Sequence, residues 1–176
     1  MLTVGHSNRP IEEFLGMLKA HGVELLVDVR TVPRSRHNPQ FNRETLPQSL
    51  AAAGIRYQHM PGLGGLRHAR KDSINTGWKN LSFRGYADYM QTTEFLENLQ
   101  RLIELEQSHR LAVLCAESVP WRCHRSLIAD ALTIRGIAVS HIMSETKATP
   151  HRLTAFALVE GDRITYPTES LHFFHT

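Results

Sequence analysis

Two cysteines, four lysines and no long apolar stretch set the first limits on this 176-residue chain. With only Cys115 and Cys123, a disulfide framework of the kind that holds small secreted domains together is excluded. No run approaches the roughly 18 apolar residues of a membrane span, so no membrane partner is expected. The opening MLTVGHSNRP has no apolar signal segment, which makes the cytoplasm the expected location. Phosphate and dinucleotide fingerprints are missing as well. The run Pro61-Gly62-Leu63-Gly64-Gly65 lacks GxxxxGK[ST], and Gly5-His6-Ser7 is not GxGxxG, so neither an ATPase loop nor a bound cofactor is expected. The glycine-flanked serine elbow of common hydrolases is absent. Paired CxxC spacing is absent too, and no metal site is expected.

What is present describes a globular protein. Hydrophobic residues make up 41% and charged residues 21%, enough for one α/β domain over 1–176 with a real core. The net charge of +3 comes from 16 arginines against those few lysines, so positive charge arrives mainly as planar forks suited to phosphate or carboxylate. A small anionic ligand is favoured, and nucleic acid is permitted as a partner. Oligomeric state is not fixed by any of this.

Strand-like and helix-like segments alternate. Leu2–Val4 is a short apolar strand, and Ile11, Phe14, Leu15 and Leu18 repeat at helical spacing behind Pro10. Val23–Val27 is a dense aliphatic strand. Asn42 is placed to cap a helix through Ala53, before a strand at Ile55–Met60. Residues 66–82 show little periodicity and read as an irregular excursion. A helical stripe follows Thr92 or Thr93, then a buried strand at Arg110–Cys115, a helix over Trp121–Arg135 and a strand at Ile137–Ile142. Residues 143–176 form a C-terminal extension, with 143–152 as a mobile connection and a hairpin over Ala155–Tyr166. This order predicts a three-layer open, mostly parallel sheet sandwich, Rossmann-like but without the dinucleotide fingerprint.

In such a sheet, the loops after the strands converge on one crevice. That rule gathers His6 and Ser7, Asp28 and Arg30 with Arg34 and Arg36, and Cys115 and Glu117 with Arg122, Cys123, His124 and Arg125; His141 is a further candidate. Arg30, Arg36, Arg122 and Arg125, with Ser7, are the expected substrate binders. Asp28 or Glu117 would orient the substrate or activate water, and His6 or His124 would move a proton. Cys115, beside cations that lower a thiol pKa, is the candidate nucleophile, with Cys123 as a resolving thiol; an inert core role is the rival for both.

Several motifs recur in one order: Val4-Gly5-His6-Ser7; Val27-Asp28-Val29-Arg30 with Pro33, Ser35-Arg36 and Phe41; Tyr57 with Leu63-Gly64-Gly65; and Cys115-Ala116-Glu117 with Cys123-His124-Arg125. Over roughly residues 2–145 this set resembles domain of unknown function family 488. The resemblance implies a single α/β domain whose recurrent polar groups fall here on His6, Ser7, Asp28, Arg30, Arg36, Glu117, Cys123, His124 and Arg125. It names no reaction.

The leading expectation is a hydrolase or transferase acting on a phosphate-bearing or nucleotide-like substrate. A cysteine-dependent enzyme, phosphatase-like or sulfurtransferase-like, is its sharper form, although six residues separate Cys115 from Arg122 where phosphatase loops have five. The opposing expectation is a nucleic-acid or anionic-ligand binding module that makes and breaks no bond.

Overall fold

The computed structural model describes residues 1–168. Strands β1 (Leu2–Gly5), β2 (Leu25–Asp28) and β4 (Leu111–Cys115) are buried along their whole length, which is why they read as predominantly apolar segments. They sit inside a six-stranded sheet with β3 (Arg56–His59), β5 (Ser140–Ile142) and β6 (Ala148–Pro150), in the order β3-β2-β4-β1-β5-β6. All neighbours run parallel except β6, which pairs antiparallel with β5.

Helices cover both faces. On one side α1 (Ile11–Ala20) and α2 (Leu46–Ala52) bury Phe14, Leu18, Leu46 and Leu50 against Leu2, Val4, Leu26 and Leu114. On the other, α3 (Leu81–Tyr89), α4 (Thr93–Ser108) and α5 (Arg125–Thr133) pack Tyr86, Leu99, Leu102 and Leu127 onto Leu25, Val27, Leu111 and Val113. The result is the expected three-layer, mostly parallel, Rossmann-like sandwich. No helix among the described residues is long and apolar enough to cross a membrane.

Three boundaries differ from the sequence reading. Asn42 does not cap α2 with its side chain, which instead accepts from the Ser35 amide at 2.7 Å. The helix starts at Leu46 because Pro47 is tolerated only in a first turn. The helix expected from Trp121 is a 3₁₀ turn at Pro120–Arg122, an extended Cys123, and then α5. Residues 143–152 are not simply a connection, since β6 lies within them as an edge strand where Pro150 withholds no needed donor.

Helix α3 has no counterpart in the sequence reading. Asn80 caps it, its Oδ1 accepting from the Ser82 and Phe83 amides at 2.8 and 3.3 Å. Gly85 sits mid-helix, where it weakens the local helical signal. A Cβ there would meet the Arg67 carbonyl at 2.0 Å, so the glycine lets residues 66–80, which contain no helix or strand, lie directly on α3. Buried Asp88 fastens that stretch by accepting from the Arg70 amide, Ser73 Oγ and Asn75 Nδ2.

Strands β7 (Leu158–Glu160) and β8 (Arg163–Thr165) form a separate two-stranded hairpin, as the turn residues suggested. Asp130 of α5 ties this C-terminal part down. Its buried carboxylate accepts from His151 Nε2 (2.7 Å), Thr154 N (3.1 Å), Thr154 Oγ1 (2.7 Å) and Tyr166 Oη (2.8 Å). The expected extension over 143–176 includes residues 169–176, which lie outside the described residues.

Candidate active site at the β1–β4 crevice

Adjacent strands β1 and β4 send their chains to opposite faces, β1 into α1 and β4 into α5. That divergence opens the sheet at its C-terminal edge and defines the point where ligands bind in open α/β sheets. Backbone pairing continues one step past the strands, with the His6 amide on the Cys115 carbonyl (3.0 Å) and the Ser7 amide on the Ala116 carbonyl (2.9 Å). Gly5 makes this closeness possible. A Cβ there would lie 1.8 Å from the Glu117 carbonyl and 2.6 Å from Arg125 Nη1.

Two buried guanidinium groups flank the crevice. On the α1 side, Arg30 forks onto Asp28, Nε to Oδ1 at 2.9 Å and Nη2 to Oδ2 at 2.7 Å, and Nη2 also donates to the Phe41 carbonyl at 2.7 Å. Asp28 is saturated further by the Arg30 amide (3.1 Å) and Tyr57 Oη (2.6 Å). It borders neither cavity described below and is arranged to hold Arg30, not to act as a base. Burial, helped by that hydrogen bond to Asp28, pushes the Tyr57 hydroxyl pKa up. Arg30 Nη1 lies 3.3 Å from His6 Nε2. His6 Nδ1 faces the Ser7 carbonyl at 2.7 Å and therefore carries the proton, leaving Nε2 to accept from Arg30. Burial, reinforced by the Arg30 charge, lowers the His6 pKa to about 4, and the ring stacks on Phe41 at 4.3 Å.

On the α5 side, Arg125 is fully buried. Nη1 donates to Cys115 Sγ at 3.0 Å and to the Glu117 carbonyl at 2.6 Å, and Nη2 donates to the Ser118 carbonyl at 2.9 Å. Among the described residues no carboxylate reaches it. A buried cation without a carboxylate favours an anion beside it, and the Cys115 sulfur stands there. Cys123 donates its S–H to Cys115 Sγ over 2.7 Å. Burial alone would raise the Cys115 pKa, but the Cys123 hydrogen bond and the Arg125 charge outweigh it and bring the thiol down to about 7. Cys123 is held as a thiol, pushed well above its ordinary value by its bond to Cys115 and by burial.

Above these groups lie two abutting cavities. One of about 390 Å³ is bordered by Cys115, Glu117, Arg122, Cys123, Tyr86 and Asn80. The other, about 650 Å³, is bordered by His6, Ser7, Arg34 and Ser35. Arg30, Gly65, Leu66, Ala116 and His124 border both, so the two form one cleft across the crevice. His124 Nδ1 stands 3.7 Å from Cys123 Sγ, while its Nε2 is buried and has no partner among the described residues. Burial and the Arg125 charge lower its pKa to about 4, so the ring is neutral.

The crevice thus gathers His6, Ser7, Arg30, Cys115, Glu117, Arg122 and His124, with Arg125 beneath them. Arg125 holds the sulfur and has no face left for substrate. Glu117 contributes its carbonyl to Arg125, while its exposed carboxylate accepts from the Val119 amide at 3.1 Å. Arg36 is exposed and borders neither cavity. His141 also lies elsewhere, between Thr3 Oγ1 and His151 Nδ1. Sequence reasoning did not assign the supports: Tyr57 on Asp28, and His59 Nε2, which donates to the Arg30 carbonyl at 2.7 Å. Among the described residues no three His, Cys, Asp or Glu side chains group to hold a metal ion.

The fold and this crevice define an open α/β protein with a guanidinium-held thiol at its topological switch point. A family model for the domain of unknown function DUF488 matches residues 10–132, well over half of the chain, and the protein belongs to that family. No curated protein and no solved structure matches the chain.

Proposed function

We propose that the protein is a cysteine-dependent enzyme, a transferase or hydrolase that binds a small anionic substrate over the β1–β4 crevice and takes the transferred group on Cys115 Sγ. The observation that carries this reading is the position of that sulfur: between Arg125 Nη1 and the Cys123 thiol, under an open cleft, beside a buried cation that no carboxylate among the described residues reaches. A thiol near pKa 7 is substantially ionised at neutral pH and still strongly nucleophilic.

The substrate's anionic part, a phosphate-bearing or nucleotide-like group among the candidates, meets the exposed guanidinium groups of Arg34 and Arg122 at the two ends of the cleft. His124 forms part of the wall that the two cavities share. A working thiolate beside a second thiol requires a reducing compartment, so the proposed location is the cytoplasm.

The test is a panel of phosphoesters, nucleotides and sulfur-transfer donors, with mass analysis of the enzyme during turnover. An adduct on Cys115 with at least one donor class, lost together with turnover in Cys115→Ser, is expected. Turnover at the wild-type rate in that variant would overturn the covalent step. A second reading, a module that holds the anion without chemistry, rests on exposed Arg34 and Arg122; it predicts anion binding that weakens with salt, no turnover, and indifference to Cys115→Ser.

A further inference from the structure

Cys123 has no task in a simple one-thiol mechanism, yet its sulfur is the group nearest the Cys115 sulfur, at 2.7 Å. We propose that Cys115 and Cys123 form a redox-active dithiol whose substrate is an anionic low-molecular-weight disulfide, which the pair reduces to two thiols while closing to a disulfide itself. This rests on Cys115 being the nucleophile and names the substrate class of that site.

Three observations select sulfur as the transferred atom. First, a phosphoryl or acyl group on Cys115 would be hydrolysed by water, and Cys123 would serve no purpose in that step; a group attached through sulfur leaves when a neighbouring thiol attacks Cys115 Sγ. Second, the loop after Cys115 turns carbonyls toward the guanidinium beside the sulfur. The Glu117 and Ser118 oxygens both bind Arg125, and Glu117 O lies 3.6 Å from Cys115 Sγ. With those oxygens and the sulfur on its Nη donors, Arg125 has none left for the oxygens of a phosphoryl group, which needs N–H donors around it. Third, the His124 ring stands next to Cys123 on the cleft wall. Its side chain is partly buried, its Nδ1 is 3.7 Å from Cys123 Sγ, and among the described residues its Nε2 has no partner. Nδ1 is the nitrogen beside Cys123 Sγ, so the ring orients that thiol, and the proton that Cys123 gives up passes to the RS⁻ released by the substrate.

The electrons balance in two steps. Cys115 thiolate attacks one sulfur of RS–SR, forming Cys115–S–S–R and releasing RS⁻. Cys123 then loses its proton and attacks Cys115 Sγ, forming the Cys115–Cys123 disulfide and releasing the second RS⁻. The substrate gains two electrons and the dithiol loses two; an external dithiol reopens the pair. Arg34 and Arg122 select a disulfide bearing carboxylates over a cationic one.

The reduced full chain is mixed with oxidised glutathione, quenched with iodoacetamide and weighed intact. The wild-type chain should lose two hydrogens and keep no glutathione. Cys123→Ser, or Cys123→Ala should the serine variant not fold, should trap one glutathione on Cys115, and cystamine should close the wild-type pair about tenfold more slowly. Wild-type protein that keeps both thiols while iodoacetamide rapidly labels Cys115 at neutral pH would overturn the disulfide proposal and leave the nucleophile reading standing. Failure of both reactions would remove the two together. Closure by hydrogen peroxide but not by oxidised glutathione would overturn the substrate class, and equal rates with cystamine would overturn its charge.

Discussion

Two arginines buried within one crevice have opposite company. Arg30 carries a bidentate carboxylate, a carbonyl and an imidazole nitrogen; Arg125 carries two carbonyls and a sulfur, with Nε unpartnered. The first is neutralised by Asp28 and braces the β2 end. The second keeps its charge uncompensated until Cys115 ionises. A buried cation is therefore a structural brace or a thiolate-stabilising device according to whether an acid accompanies it.

The largest expected effect breaks the braced side. Asp28→Ala strands a buried guanidinium and should cost about 3–5 kcal/mol of unfolding free energy by denaturant titration; a loss below 1 kcal/mol would mean that Arg30 relaxes to solvent. Next comes Gly5→Ala. Its Cβ would overlap the Glu117 carbonyl, so about 1–3 kcal/mol or more should be lost, together with the fast alkylation of Cys115. Arg125→Met removes the unaccompanied charge. The iodoacetamide rate of Cys115 at neutral pH should fall about fivefold as its pKa climbs by roughly one unit, and an unchanged rate would assign the lowering to Cys123 alone.

Acidity separates the thiol from the histidines of the crevice. Cys115, lowered from 9.0 to about 7, adds stability that is complete above pH 9.0 and fades as the pH falls through 7. His6 and His124, each lowered from 6.5 to about 4, favour the fold only while neutral, so their contribution is complete above pH 6.5 and is lost as the pH falls through 4. Unfolding free energy measured against pH should show both declines, and Cys115→Ser should erase the upper one only. The smallest effect belongs to a control outside the cleft: Thr92→Ala, which removes the hydroxyl that accepts from the Phe95 amide at the start of α4, should cost about 1 kcal/mol through its lost cap and leave Cys115 titration unmoved.

The sheet was legible because its central strands are buried on both faces and leave dense aliphatic runs such as Leu111–Leu114. Their loops also carried the right residues to one place, since topology alone aligns His6 with Cys115. Helix α3 was not legible, as Gly85 and its polar residues hide a periodicity that only packing on residues 66–80 makes useful. Which arginine would be accompanied was equally hidden. Asp28 lies two residues from Arg30, a spacing that can be read, whereas the partners of Arg125 are backbone carbonyls that no residue type announces. The Cys115–Cys123 approach depends on the extended break at Cys123, where the sequence pattern suggested continuous helix.

Asp130 adds a constraint on the order of events in the life of the chain. Its carboxylate lies within the family-matched segment, while its donors come from His151, Thr154 and Tyr166, all downstream of it. During synthesis the whole crevice, from His6 to Arg125, is available before any of those donors exists. Until they emerge, α5 carries an unsatisfied acid on the face it must bury. The nascent protein therefore holds every residue of its proposed chemistry well before it can lock the helix that presents Arg125, and a released chain ending before His151 should display an α5 more open to protease than that of the full chain.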